Sequence, residues 1–333
     1  MKALVTADIH LTDKPQDEYR WGLLPWLGEQ AREHQVDLVA ILGDLTDAKD
    51  RHSAFLVNRF AQELAALARQ VERVVLLKGN HDYIDPEWPF FEFLNAYSFI
   101  HFVTRPAEIC GQIFLPSTRD YERDWKKYRD GFPGSDYYFC HQTFDGALAD
   151  NGTVLPGIPP SYFKRARVKV WSGDVHTQQK VGPNVEYVGA PYRIDFGDTF
   201  TPRVVLLDGQ REPRDLRFPC PQKHLVTIRS LGDLQEQHQL LGVRRGDLVK
   251  VRVRLRRSEY PDWPSLRSSI RAYAAGEGWV LHGPELASVE FAKGEAPPPA
   301  LSAIVPQDVV KRYASENKLE KDILDLGLSF LED

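Results

Sequence analysis

The stretch LVAILGDLTD, residues 38–47, decides the fold. Five apolar residues run without interruption and stop at Gly43-Asp44. A Val/Ile/Leu-rich run with no polar alternation fits a strand covered on both faces, as in a parallel sheet. Similar stretches flank it. KALVTADIH (2–10) is an apolar run ending in Asp8-Ile9-His10, and VVLLKGNHD (74–82) ends in Gly79-Asn80-His81-Asp82. Between the runs, residues 20–34 place Trp21, Leu24, Leu27 and Ala31 on one helical side. His52 to about Val71 does the same with Phe55, Phe60, Leu64 and Leu67. The order β-α-β-α-β predicts an α/β layered domain.

Further short strands are expected at 113–115, 137–140, 168–171, 185–188 and 203–207. Two of them end in Cys140-His141 and Gly173-Asp174-Val175-His176. Ligands bind at the carboxyl ends of strands in open α/β sheets, so the fold would bring all five terminal motifs to one rim. From residue 222 the pattern changes to strand (225–228), alternating strand (248–255), helix (264–275) and strand (287–291). This predicts central sheets flanked by helices over 1–210 and a smaller α+β capping domain over 222–295. A Pro-rich linker and helical tail follow over 296–333.

Composition bounds the function. The 333 residues, 42% hydrophobic and 27% charged, are ordinary for a soluble globular protein, and a chain of this size needs no disulfide staples. The three cysteines form no CxxC pair, which argues against a zinc cage. No run approaches the roughly 18 apolar residues of a membrane helix, and the N-terminus carries no secretory pattern. A cytoplasmic protein without membrane association is the expectation. The net charge of -5 leaves any affinity for nucleic acid to a local patch.

Each motif alone has a bland reading. A lone Asp-x-His is usually a turn or cap, and Asn-His-Asp in a loop is ordinary turn chemistry. Five in order, each at an expected strand end, are not coincidence. Carboxylate, imidazole and amide oxygen without thiolate suit divalent manganese, iron or magnesium. Two such ions roughly 3.5–4 Å apart clamp a phosphate and activate water, and a carboxylate with two oxygens is the natural bridge.

The pattern resembles the calcineurin-like metallophosphoesterases, whose motifs run D-x-H, G-D-x-x-D, G-N-H-D/E, H and G-H-x-H. The resemblance implies that Asp8, His10, Asp44 and His176 hold one metal, and that Asp44 (bridging), Asn80, His141 and Asp174 hold a second. It further implies that His81 is a general acid or transition-state stabiliser, oriented by Asp47. Asp174 departs from the pattern, since a carboxylate stands where the family has an imidazole. That change predicts a harder site, favouring Mn2+ or Mg2+.

The segment YVGAPYRIDFGD (187–198) is similar to one in the SbcD nucleases, as is HQTFDGA (141–147). This likeness implies a Mn-dependent DNA exonuclease, 3'–5' on duplex ends with endonuclease activity on single strands. It also implies an SbcC-type ATPase partner in recombination and repair; a homodimer stays open as a further assembly, which the sequence does not decide. The bland alternative for the segment pairs Arg193 with Asp195 or Asp198. RRGDLVKVRVRLRR (244–257) holds seven basic residues and one acid. Lys250, Arg252, Arg254 and Arg256 share one strand side, a comb able to contact successive phosphates. With Arg193 they are the candidate DNA contacts. A phosphatase or nucleotide phosphodiesterase of the same superfamily is the competing enzyme reading, and a scaffold without catalysis the non-enzymatic one.

Overall fold

The apolar runs form parallel strands because no polar side chain interrupts either face. In this computed structural model, β1 (Lys2–Thr6) leads through a 3-10 turn (Pro15–Gly22) to α1 (Leu23–His34) and then β2 (Leu38–Ile41). After α2 (Ala54–Ala68) come β3 (Arg73–Leu77), β4 (Ile100–Val103), β5 (Ala107–Ile109) and β6 (Gln112–Leu115). Next are α3 (Tyr121–Asp124), β7 (Tyr137–His141), a small hairpin of β8 (Ala147–Leu148) and β9 (Val154–Leu155), and β10 (Lys169–Gly173). β11 (Gln179–Val181), β12 (Val185–Tyr187), β13 (Val204–Asp208) and β14 (Arg214–Leu216) follow. The remainder is β15 (Lys223–Ile228), α4 (Leu231–Leu241), β16 (Leu248–Arg256), α5 (Trp263–Glu277) and β17 (Val280–Glu290). The structure describes residues 1–163, 168–209 and 211–290, together with Val310, Lys311, Ala314, Lys321, Ile323 and Leu324. The Pro-rich linker and most of the expected tail helix lie outside the described residues.

Two six-stranded sheets result, ordered β14-β13-β1-β2-β3-β4 and β11-β12-β10-β7-β6-β5. β1 to β4 are mutually parallel, as are β6, β7, β10 and β12. Alternate residues of one strand serve different layers. Ala3 and Val5 of β1 and Val75 and Leu77 of β3 pack with Phe114, Phe139 and Trp171 of the second sheet. Leu4, Val39 and Val74 face the other way, onto Leu24 and Leu27 of α1 and Phe60 and Leu64 of α2. The second sheet's outer face, with Tyr138 and Val170, is covered by Trp125, Tyr128 and Phe163. This is the expected layered α/β architecture of sheets flanked by helices.

Helix α1 begins at Leu23 rather than near residue 20, because Pro15–Gly22 tightens into a 3-10 turn. Pro25 is tolerated because it falls in the first helical turn, where its missing N–H has no intrahelical partner. Helix α2 starts at the Ser53 cap, whose side chain accepts from Leu56 N at 3.1 Å.

The chain divides into two compact units. One holds Met1–Leu225, His238–Lys250 and Ala274–His282, and the other Val226–Gln237, Val251–Tyr273 and the described part of Gly283–Asp333. β15, β16 and β17 form a three-stranded sheet. Along β16, Val249, Val251, Val253 and Leu255 are buried while Arg252, Arg254 and Arg256 are exposed and Lys250 is half-buried. The alternation read from the sequence therefore holds. Among the described residues no helix is long and apolar enough to cross a membrane.

Candidate metal centre

The carboxyl ends of β1, β2, β3, β7 and β10 deliver the five motifs to one place. The backbone there is unusual. Asp8, His10, Asp44 and Asp174 all have positive φ (53°, 38°, 53° and 88°), a region L-residues seldom adopt. Such strain persists only where the surroundings over-determine it, and it clusters at functional sites. Gly43 at φ 85° meets the same demand without a Cβ. Gly79 answers a different one, because a Cβ there would collide with Asp44 Oδ1 and the Asp44 backbone.

Two clusters share Asp44. In the first, His141 Nε2 lies 2.8 Å from Asn80 Oδ1, 3.3 Å from Asp44 Oδ1 and 3.7 Å from Asp174 Oδ1. His141 Nδ1 is 2.6 Å from the Leu42 carbonyl. A carbonyl only accepts, so Nδ1 carries the proton and Nε2 is left as a ligand atom. In the second cluster, His10 Nε2 lies 3.3 Å from His176 Nε2 and 3.7 Å from Asp44 Oδ2. Asp8, His10 and His176 also offer ligand atoms within 4.8 Å of one another. All seven residues expected as ligands therefore converge, and Asp44 turns one oxygen to each cluster.

The donor chemistry fits a pair of hard divalent ions. Asp8 Oδ2 is buried with no hydrogen-bond partner among the described residues, an arrangement that is costly without a cation. The electrostatics show the same demand. Burial is the largest influence on Asp8 and pushes its carboxyl up to about 6. Burial works to lower His141, but the carboxylates of Asp44, Asp8 and Asp174 outweigh it and raise the ring to about 9. His176 is likewise driven down by burial and up, to about 9, by Asp150 and Asp8. Asp44 stays below the usual carboxylate range despite its burial, held there by His141 and His10. Without metal, protonated histidines supply the positive charge the carboxylates require.

Asp174 is placed to act in the first cluster. Its Oδ2 accepts from Thr143 Oγ1 and its Oδ1 faces His141, so a threonine fixes the carboxylate that replaces the family's imidazole.

Asp47 is not where the sequence put it. Its Oδ1 lies 2.7 Å from His10 Nδ1, so the carboxylate positions His10 rather than His81. His81 Nδ1 is buried and has no hydrogen-bond partner among the described residues. Its backbone N–H donates to Asp44 Oδ1 at 2.9 Å, and its ring stands edge-on to His10 at 5.3 Å.

Several further residues organise the site, one of them, Asp82, the last residue of the Gly79–Asp82 motif. Asp82 is fully buried and accepts from Asp44 N (3.0 Å), Leu45 N (2.9 Å) and Gly79 N (2.7 Å), tying the loop after β2 to the loop after β3. Asp150 Oδ2 sits 3.6 Å from His176 Nδ1, and Asp198 joins the same group. Arg20 Nη1 donates to the His10 carbonyl at 2.5 Å and Nη2 to the Ile194 carbonyl at 3.2 Å. The segment 187–198 braces the rim. Tyr192 donates to the Ile9 carbonyl, and Tyr187 Oη accepts from Phe144 N at 2.7 Å. Arg193 pairs with neither Asp195 nor Asp198. Its Nη1 donates to the Lys223 carbonyl at 2.9 Å, while Asp198 accepts from Ile194 N and Asp195 N.

Two curated proteins are similar to parts of this chain. A stretch of 88 residues, 25% of this chain, is 34% identical to the SbcD subunit of nuclease SbcCD from Escherichia coli K12 and covers 21% of that protein. Over 218 residues, 61% of this chain, it is 25% identical to exonuclease subunit 1 of Enterobacteria phage T4, covering 63% of the phage protein. The matches thus span about a fifth and under two thirds of those relatives' lengths. The crystal structure of Pseudomonas putida nuclease MPE overlays on 48% of this chain and 74% of its own, with TM-score 0.30 and 17% identity. Residues 1–177, which carry all five motifs of the rim, match the calcineurin-like phosphoesterase family, and the chain belongs to it.

Proposed function

We propose that this chain is a two-metal phosphodiesterase that cuts DNA, a nuclease of the SbcD type. The observation that carries this reading is Asp44, whose Oδ1 faces His141 and whose Oδ2 faces His10. Asp8, His10, Asp44 and His176 would hold one ion, and Asp44, Asn80, His141 and Asp174 the other. Ions held there supply Lewis acidity towards phosphoryl oxygens and a strong nucleophile from water at neutral pH. A thiolate-free set with three carboxylates favours Mn2+, then Mg2+.

The chain's own residues do the rest. Burial lowers the His81 pKa, so its ring meets substrate neutral. It then serves as an N–H donor to a phosphoryl oxygen rather than as a proton carrier, which favours transition-state stabiliser over general acid as its role. Asp47 holds His10 in one orientation, and Thr143 does the same for Asp174.

DNA as substrate is supported by the relatives, one named a nuclease and the other an exonuclease. It is also supported by the exposed arginines of β16, which with Lys250 and Arg193 would contact the backbone. Residues 222–295 would then be a DNA-binding capping domain and residues 1–210 the nuclease domain. The subunit would digest duplex ends 3'–5', cut single strands and work with an SbcC-type ATPase in recombination and repair. End-labelled duplex incubated with Mn2+ tests the reading. Wild type should shorten the label, and His81→Ala should be slower by about 100-fold, the scale of losing one transition-state donor. Hydrolysis confined to mononucleotides or cyclic nucleotides would instead make it a phosphatase or nucleotide phosphodiesterase.

A further inference from the structure

A cavity of about 730 Å3 lies within the first compact unit, and none of the metal-rim residues lines it. Four arginines do: Arg193, Arg217, Arg244 and Arg245. The carboxylate in its wall, Asp247, is already committed. Its Oδ1 accepts from Gln222 N at 2.9 Å, and its Oδ2 takes Arg244 N at 2.9 Å and His224 Nε2 at 3.0 Å. Among the described residues Arg217, Arg244 and Arg245 have no carboxylate partner, and Arg193 Nε is buried with no acceptor. An unsatisfied buried donor is a cost unless a ligand meets it. The guanidinium of Arg245 lies over Gly278, where a Cβ would come within 2.9 Å of its Cζ. So the missing side chain at Gly278 leaves room for that cation.

Four arginines line one cavity in a chain of net charge -5, and the single carboxylate in its wall, Asp247, leaves the lining strongly positive. Guanidinium forks match phosphate oxygens in geometry as well as charge. We infer that this cavity is a second anion site, separate from the metal centre, which binds a phosphate group. The chemistry is common to a DNA backbone phosphate and to a free di- or triphosphate, and the volume admits either.

The whole 333-residue chain kept metal-free with EDTA separates the sources. The variant Arg217→Ser/Arg244→Ser/Arg245→Ser changes only exposed side chains. Pyrophosphate and ATP are titrated by calorimetry, and duplex DNA by anisotropy across a salt series. Wild-type binding of pyrophosphate or ATP that weakens at least tenfold in the variant supports a free-phosphate site. A weaker duplex affinity, with the log–log salt slope reduced by about 3, supports a DNA backbone site. With Mn2+ restored, hydrolysis of a small phosphodiester should be unchanged in the variant, since the metal rim is untouched. Loss of that hydrolysis would mean the cavity is part of the catalytic centre and would overturn the inference. Absence of pyrophosphate and ATP binding to wild type, with duplex affinity and salt slope the same in both proteins, would also overturn it.

Discussion

Loading the metal centre should expel about two protons per chain at pH 7.5. In the metal-free protein, His141 and His176 each titrate at about 9, because the carboxylates around them outweigh the effect of burial. A ring with that pKa is roughly 97% protonated at pH 7.5, whereas one at the ordinary value of ~6.5 is only about 10% protonated. Metal ligands must be deprotonated, so filling both positions releases about two protons, against roughly 0.2 for unperturbed rings. Asp8, at about 6, adds almost nothing at this pH. The sign is fixed. These are raised histidine pKa values, so their pairing with carboxylates stabilises the metal-free fold fully below the unfolded value of ~6.5. That stabilisation fades as pH rises through about 9. Metal affinity moves oppositely. The product of the two binding constants should rise about a hundredfold per pH unit between roughly 7 and 8.5 and level off above. Calorimetric titration of Mn2+ in PIPES and in Tris, buffers of different ionisation enthalpy, counts the protons. A release of about half a proton or fewer would refute the reasoning, because the two histidines could not then be charged ligands-in-waiting.

Asp82→Asn places a donor among three backbone N–H groups, so at least one bond becomes a donor–donor clash. The expected loss is about 2 kcal/mol, or roughly 3 °C in Tm, read by thermal melting in EDTA. An unchanged Tm would remove Asp82 as the tie between the two loops. Asp150→Leu should weaken Mn2+ binding about tenfold through its effect on His176, with Asp150→Asn retaining part of the affinity. Equal affinities in all three proteins would show that His176 needs no partner. Arg252→Ser/Arg254→Ser/Arg256→Ser should weaken duplex binding and flatten its log–log salt slope by about 3, as anisotropy would show. A wild-type slope would return the β16 comb to an ordinary solvated strand face.

The legible part of this protein is the part written in short-range pattern. Apolar runs ending in short Asp-, Asn- or His-bearing motifs marked the central strands, and the same chain positions marked the seven candidate ligands that converge at the rim. The helix-to-helix order of the first 80 residues needed nothing more. Short peripheral strands were missed, β4, β5, β11 and β14 among them, because they span only three or four residues and show no period long enough to read. Helix α4 was missed for a related reason, since it buries Leu234 and leaves Leu240 exposed, and so has little amphipathic signal. At the site, spacing says which residues reach the rim but not whom they touch there. Asp47 was assigned to the wrong histidine on that account. Asp150 and Arg20 act through partners 26 and 174 residues away, His176 and Ile194, which no local pattern encodes. Residues 187–198 drew attention as a substrate signature. Physically they are a brace, with Tyr187 and Tyr192 hydrogen-bonded to the loops that present the ligands.

The central claim is that one carboxylate, Asp44, joins two ions. Electron paramagnetic resonance during Mn2+ titration tests it most directly. Wild type should take up two equivalents and develop an exchange-coupled spectrum, as expected for ions about 3.5–4 Å apart. Asp174→Ala should stop at one equivalent with the six-line signal of an isolated ion. A six-line spectrum saturating at one equivalent in the wild type would contradict the account.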